Sequence, residues 1–192
     1  MTAAVPQKEI DQFVVFCHWN LPGVQEQLAV RPELLNARST LDESPLGAAA
    51  HVGAKEIAGY LLDQGAELDV YAAAMLGLRD DVIVFLDADP ELVNSGGAHG
   101  IPLLFHGAVG GDIGMVELLI ERGADRQQIV GPSGTALNAA AMRGYLPMAE
   151  WLVANGARLD SPDFEQKTPL QRAREAGHTE IEELLVRSGA SE

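Results

Sequence analysis

Cysteine is almost absent from this 192-residue chain. Cys17 stands alone, so no disulfide can form within the chain, and a reducing compartment is the expected setting. Aromatic residues contribute only 5% against a hydrophobic total of 47%. The apolar surface must therefore come from Ala, Leu and Val, which suits helices packed at close range. Basic residues are scarce as well: 13 Lys and Arg face 28 Asp and Glu, for a formal net charge of −15. That charge repels phosphate backbones and anionic lipid surfaces, so neither nucleic acid nor a membrane is an expected partner. No apolar run approaches the roughly 20 residues of a membrane span. The opening "MTAAVPQKEI" lacks a basic stretch leading into an apolar core, so a cytoplasmic location is expected. The length suits a single domain, 1–192, able to bury a sizeable core.

What the chain does have is a repeat. The last leucine of each apolar patch falls at Leu28, Leu61, Leu86, Leu119, Leu152 and Leu185, at intervals of 33, 25, 33, 33 and 33. A mid-repeat glycine recurs at Gly53, Gly111, Gly144 and Gly177, and this ruler puts Asn20 and Leu78 at the equivalent places in the first and third copies. A closing Gly-Ala recurs at Gly65-Ala66, Gly123-Ala124, Gly156-Ala157 and Gly189-Ala190. Ser44-Pro45 and Thr168-Pro169 place a capping hydroxyl before a proline at the first helical position, which starts a helix. The glycine after it ends the short helix in a left-handed conformation. A second helix follows, with Met115, Leu118 and Leu119, or Met148, Trp151 and Leu152, at helical spacing. Each unit is two short antiparallel helices and a turn, too small to bury its face alone.

A period of 33 with a T-P-L-H-x-A signature belongs to ankyrin repeats, and "SPLGAAAHVG", "IPLLFHGAVGG", "GTALNAAAMRG" and "KTPLQRAREAGH" resemble that signature. The resemblance covers about Asp11 to Ala190. It implies an all-α, ankyrin-type α-solenoid of about six helix-turn-helix repeats with short hairpin fingers. The repeats fall at about 11–36, 42–68, 69–94, 101–125, 134–158 and 167–190.

The regularity breaks in three places. The first and third copies end in "RPELLNA" and "DPELVNS", where Pro32 and Pro90 stop the helix in place of Gly-Ala. Between Leu68 and Ala72 the chain reads only "LDVYA", which leaves no room for a finger, so a notch is expected there. The last copy carries Arg172, Arg174 and Glu175 where others have apolar residues or Ala, and reads as a polar cap; "VPQKEIDQ" shields the other end.

In proteins this chain resembles, the finger tips and the two residues before the mid-repeat glycine face the partner. Carried over, those positions are His18, Trp19, His51, Val52, Leu76, Val109, Met142 and Arg143, with His99 on the glycine-rich tip "NSGGAHG". The row is apolar within an acidic chain, as a binding groove requires; the bland alternative is that Leu76, Val109 and Met142 pack between helices. The tips "RSTLDES", "VGPSG" and "SPDFEQ" complete the face. The expected function is a monomeric, non-catalytic scaffold for another protein, without a cofactor. The alternative is a metal or small-molecule site at the notch, from His18, His51, His99 and His106, since imidazole binds metals and titrates near neutrality. Against it, His106 reads as bonding turn backbone and His178 as a structural Gly-His. No nucleophile elbow or phosphate loop occurs. Cys17 reads as a small buried filler and Trp151 as core, while Glu117, Glu150 and Glu183 mark a solvated face.

Overall fold

The computed structural model describes residues 5–130, 136–163 and 165–191. Six antiparallel helix pairs follow one another: α1 (Gln7–Phe16) with α2 (Leu21–Val30), α3 (Pro45–His51) with α4 (Lys55–Asp63), and α5 (Val70–Leu76) with α6 (Arg79–Ala88). Then come α7 (Leu103–Val109) with α8 (Ile113–Glu121), a single turn α9 (Gln127–Val130), α10 (Ala136–Arg143) with α11 (Leu146–Ala154), and α12 (Pro169–Ala176) with α13 (Thr179–Arg187). Among the described residues there is no strand, only an isolated bridge between Gly96 and Pro102. The helices are the all-α solenoid expected; α9, whose last residue Val130 opens the tip "VGPSG", was not foreseen, and residues 131–134 of that tip lie outside the described residues.

The local code works as the residue types dictate. The Ser44 hydroxyl accepts from the Gly47 N–H at 2.9 Å, and the Asp69 and Asp112 carboxylates accept from the N–H groups of Ala72 and Met115 at 2.8 and 3.1 Å. Thr168 and Gln171 form a reciprocal capping box. Gly53, Gly111, Gly144 and Gly177 end the first helices with φ between 69 and 76°. In the third copy this turn falls on Gly77 (φ 78°), not on Leu78 as the leucine spacing implied. The Leu78 N–H bonds to Ala73 O as Ala54 bonds to Ala49 O, so Leu78 corresponds to the residue after the glycine. The leucine ruler slips by one there because Leu86 is the buried residue of α6 and Phe85 is only half-buried. The residues preceding the turn are accordingly Met75, fully buried, and Leu76, half-buried.

Three fingers share one construction. Each is a four-residue turn in which the fourth N–H bonds the first carbonyl: Asp42 to Ser39, Gly100 to Gly97 and Gln166 to Asp163, all at 2.9 Å. The first residue's N–H then bonds the carbonyl of the residue after the turn, Glu43, Ile101 or Lys167. The fourth position is left-handed in each, at Asp42, Gly100 and Gln166. Only residues 64–69 separate α4 from α5, and no such turn occurs among them.

That omission lets the third pair sit deep. Ala72, Ala73 and Ala74 of α5 are fully buried, and the core divides across this helix: Ala72 and Met75 belong with the first two pairs, Val70, Ala73 and Ala74 with the last three. Gly110, at the end of α7, lies against the Met75 carbonyl, where a Cβ would come within 2.2 Å of the oxygen. Across the same region α3 touches α7, and a Cβ at Gly53 would stand 3.0 Å from the Val109 carbonyl oxygen. Cys17 is the buried filler expected, its thiol pushed up to about 12 by burial and then by the Glu43 charge. Trp151, expected in the core, is half-buried against it, and Glu117, Glu150 and Glu183 are exposed.

The C-terminal end differs from a simple polar cap. Arg172 is buried, with Nε 2.6 Å from Asp163 Oδ2 and Nη2 2.9 Å from Glu165 Oε2. Burial by itself would raise the Asp163 carboxyl, but Arg172 and the N–H groups of Lys167 and Glu165 hold it below its ordinary value.

Two measurements check this packing. Gly110→Ala should lose about 1–3 kcal/mol in chemical denaturation through overpacking against backbone, whereas Gly59→Ala, mid-helix in α4 with open space at its Cβ, should gain about 0.5–1 kcal/mol. Arg172→Met should cost about 3 kcal/mol, the low end for breaking a buried ion pair, because Glu165 remains open to water. Asp163 is depressed in the fold, so its contribution is present above the unfolded-state value near 3.8 and is lost as pH falls through the lower folded-state value. An acid titration of melting temperature should show a smaller loss in Asp163→Asn than in the parent, the remainder coming from other depressed carboxylates such as Asp112.

Candidate functional site

Along the concave face the first helices and fingers enclose a groove of about 540 Å³. Its apolar middle is made by Ile101, Phe105, Val109, Ala139 and Met142; His18, His51 and His99 stand at one end and Asp163, Glu165 and Arg172 at the other. Of the residues expected to face a partner, Trp19 is 71% exposed and Met142 43%, while Val109 is 2% exposed and belongs to the core as well as to the groove wall. Val52 lines the groove half-buried. Leu76 packs half-buried on the core of the first pairs, outside the groove lining. Arg143 is committed within the chain: its guanidinium donates to the Val52 carbonyl, reaching from the fifth helix pair to the second.

The histidines divide. His18, His51 and His99 converge, with the His18 and His51 rings 4.9 Å apart and those of His51 and His99 5.4 Å apart. His106 does not join them. It is 1% exposed, its Nδ1 bonds the Pro102 carbonyl at 2.9 Å, and burial, against the pull of that carbonyl, lowers it to about 4. The structural alternative for His106 is therefore the one the fold adopts. His178 is also tied to backbone, through Nε2 to Met142 O at 3.2 Å.

At the centre of the three histidines is a residue that sequence reading missed. Glu43 is 5% exposed, with Oε1 2.9 Å from His51 Nδ1 and 3.5 Å from His99 Nε2, and Oε2 4.0 Å from His18 Nε2. The first finger holds it in place. Asp11 of α1 accepts from the Thr40 N–H at 2.7 Å and from its hydroxyl at 2.6 Å, and the Ser39 hydroxyl accepts from the Glu43 N–H at 3.1 Å. Burial alone would raise Glu43, but His51, His18 and His99 keep it below its ordinary value; burial lowers His18, with His51 adding to the effect. The available signal was positional: Glu43 directly precedes the Ser44 cap, the same register as Ile101 and Lys167 in the other fingers.

Comparison with known proteins agrees with this architecture. Residues 103–192 match the family model described as ankyrin repeats (3 copies). A segment of 52 residues is 48% identical to human ARF GTPase-activating protein GIT1, covering 27% of this chain and 7% of that protein. The chicken nuclear factor NF-kappa-B p105 subunit is 28% identical over 191 residues, covering 90% of this chain and 19% of the relative. Mouse RelA-associated inhibitor is 33% identical over 89 residues, 46% of this chain and 11% of that protein. The chain thus spans a fifth or less of each of these relatives. No helix among the described residues is long and apolar enough to cross a membrane. Residues 103–192 are thus ankyrin repeats by that match, and the same paired helices and capped turns run back from the matched region to α3.

Proposed function

We propose that the chain is a non-catalytic scaffold that holds another protein in its concave groove, with the finger tips as the rim. The observation that carries this reading is the apolar floor between two polar ends, with Met142 in its lining and the exposed Trp19 outside the lining but against His18, their ring centroids 5.2 Å apart. An exposed indole and thioether beside a concave apolar surface are what a partner's large side chains bury against, and burial of that kind supplies affinity while a polar rim supplies selection. The net charge of −15 favours a partner segment whose apolar anchors are flanked by basic residues. The ankyrin-repeat relatives support binding of proteins as the general role. Arg143 contributes indirectly, fixing Met142 beside Val52 through its bond across the groove.

Affinity capture from a native lysate with mass spectrometry identifies the partner, and titration of that partner then gives the test. Trp19→Glu and Met142→Glu should each weaken binding by about 30-fold or more, as loss of an interface hot spot does, with melting temperature unchanged because both side chains are exposed. Undiminished affinity in the double variant would dispose of the groove as the binding surface.

A further inference from the structure

Glu43 poses a problem that the protein-binding reading does not solve. A carboxylate this buried needs a cationic partner or full hydrogen bonding, yet no Lys or Arg lies within ion-pair distance of it among the described residues. Among the described residues its close side-chain neighbours of opposite potential charge are His18, His51 and His99. Although Oε1 and His51 Nδ1 are 2.9 Å apart, the approach is not aligned as a hydrogen bond, and both atoms are left buried without one.

His18 sharpens the point. Its Nδ1 lies 3.1 Å from both the Val14 and the Val15 carbonyl oxygens, which can only accept, so Nδ1 carries the proton. In the neutral ring Nε2 then turns a lone pair toward Glu43 Oε2, 4.0 Å away. A backbone carbonyl that fixes the tautomer and leaves the other nitrogen bare is the arrangement by which proteins hold metal-ligating histidines. One donor atom from each of His18, Glu43 and His51 lies within 4.8 Å of the others. Ligands bound at 2.0–2.1 Å around tetrahedral zinc stand about 3.3 Å apart; the carboxylate–imidazole separations, 2.9 and 3.5 Å from Glu43 Oε1 to His51 and His99 and 4.0 Å from Oε2 to His18, fall on either side of that value.

We propose that His18, Glu43 and His51 bind one divalent transition-metal ion of the zinc class, with His99 completing the tetrahedron. Imidazole and carboxylate donors suit zinc and its borderline neighbours rather than calcium or magnesium. His99 is delivered from the opposite side by the finger ahead of α7, where its backbone is left-handed at φ 58° and its side chain remains 41% open to solvent, leaving a path of entry. The four ligands come from α1's end, the first finger, α3 and the finger ahead of α7. The ion therefore ties together the two segments that border the missing third finger, and its role is to brace that end of the groove. The proposal is independent of which protein occupies the groove.

The test uses the full chain made without a histidine tag, stripped with chelator and titrated with zinc alone. One zinc per chain is expected, with a rise in melting temperature. Glu43→Gln and His51→Ala should each lower the affinity by about 100-fold or more, at or above the upper end of second-shell effects. Cobalt in place of zinc should give the visible absorption of a tetrahedral nitrogen-oxygen site, lost in the same variants. His178→Gln, remote from the cluster, should bind as the parent does. Should the Glu43 or His51 variants fail to fold, His99→Ala, on an exposed tip, should still weaken binding and diminish the cobalt band. Absence of stoichiometric zinc, or zinc retained undiminished by all three cluster variants, overturns the assignment.

Discussion

Where α7 ends against α5, two backbones meet with no side chain between them. Gly110 leaves room for the Met75 carbonyl, and three consecutive fully buried alanines give α5 a surface thin enough to be covered on both sides. The short connection of residues 64–69 contributes as much as the small side chains do, because a finger inserted there would stand between the second and fourth pairs. In a regular solenoid each repeat touches only its neighbours. Here α3 meets α7, and Arg143 of the fifth pair bonds to Val52 of the second. Contacts on the concave side thus reach past the third pair.

One structural register along the fingers carries three chemistries. Glu43, Ile101 and Lys167 each follow a finger turn of the same geometry and precede a first helix. Lys167 uses its carbonyl to hold Asn138 and its amine to reach Glu175, Ile101 supplies groove wall, and Glu43 collects histidines. The scaffold fixes the position and leaves the side chain free to vary, which is how function is grafted onto a repeated fold. The two polar ends differ accordingly: Asp163 meets a guanidinium with ideal reach, while Glu43 meets imidazoles whose charge depends on pH.

Most of the fold was legible because helix caps and left-handed glycines are local signals, and each copy repeats them. Ser44, Thr168, Gly53, Gly144 and Gly177 do in space what their residue types imply. Gly77 escaped because spacing between leucines was used as the ruler, and α6 buries Leu86 where α4 buries Leu61, one position apart relative to the turn. The site was half legible. Equal placement in adjacent copies brought His18 and His51 together, and the missing finger explains how His99 reaches them. Glu43 was hidden in an acidic chain of 28 carboxylates, since sequence says nothing of which one a hairpin turns inward. His106 misled for the opposite reason: near in the stack, it is spent on its own helix's first carbonyl.

Conflict with local rules falls mostly on residues in or next to the groove. Six buried polar side-chain atoms among the described residues lack a hydrogen bond: His51 Nδ1 and Asn138 Oδ1 belong to residues that line the groove, Glu43 Oε1 stands beside His51, Arg143 spans the groove through Val52, and Gln128 Oε1 and Ser161 Oγ lie outside its lining. A folded chain keeps such atoms only when something else satisfies them or when surrounding structure outweighs their cost. The convex helices show the contrast, with their leucines sealed and their glutamates in water. A chain optimised only to stack would have placed an apolar residue at position 43, as it did at Ile101.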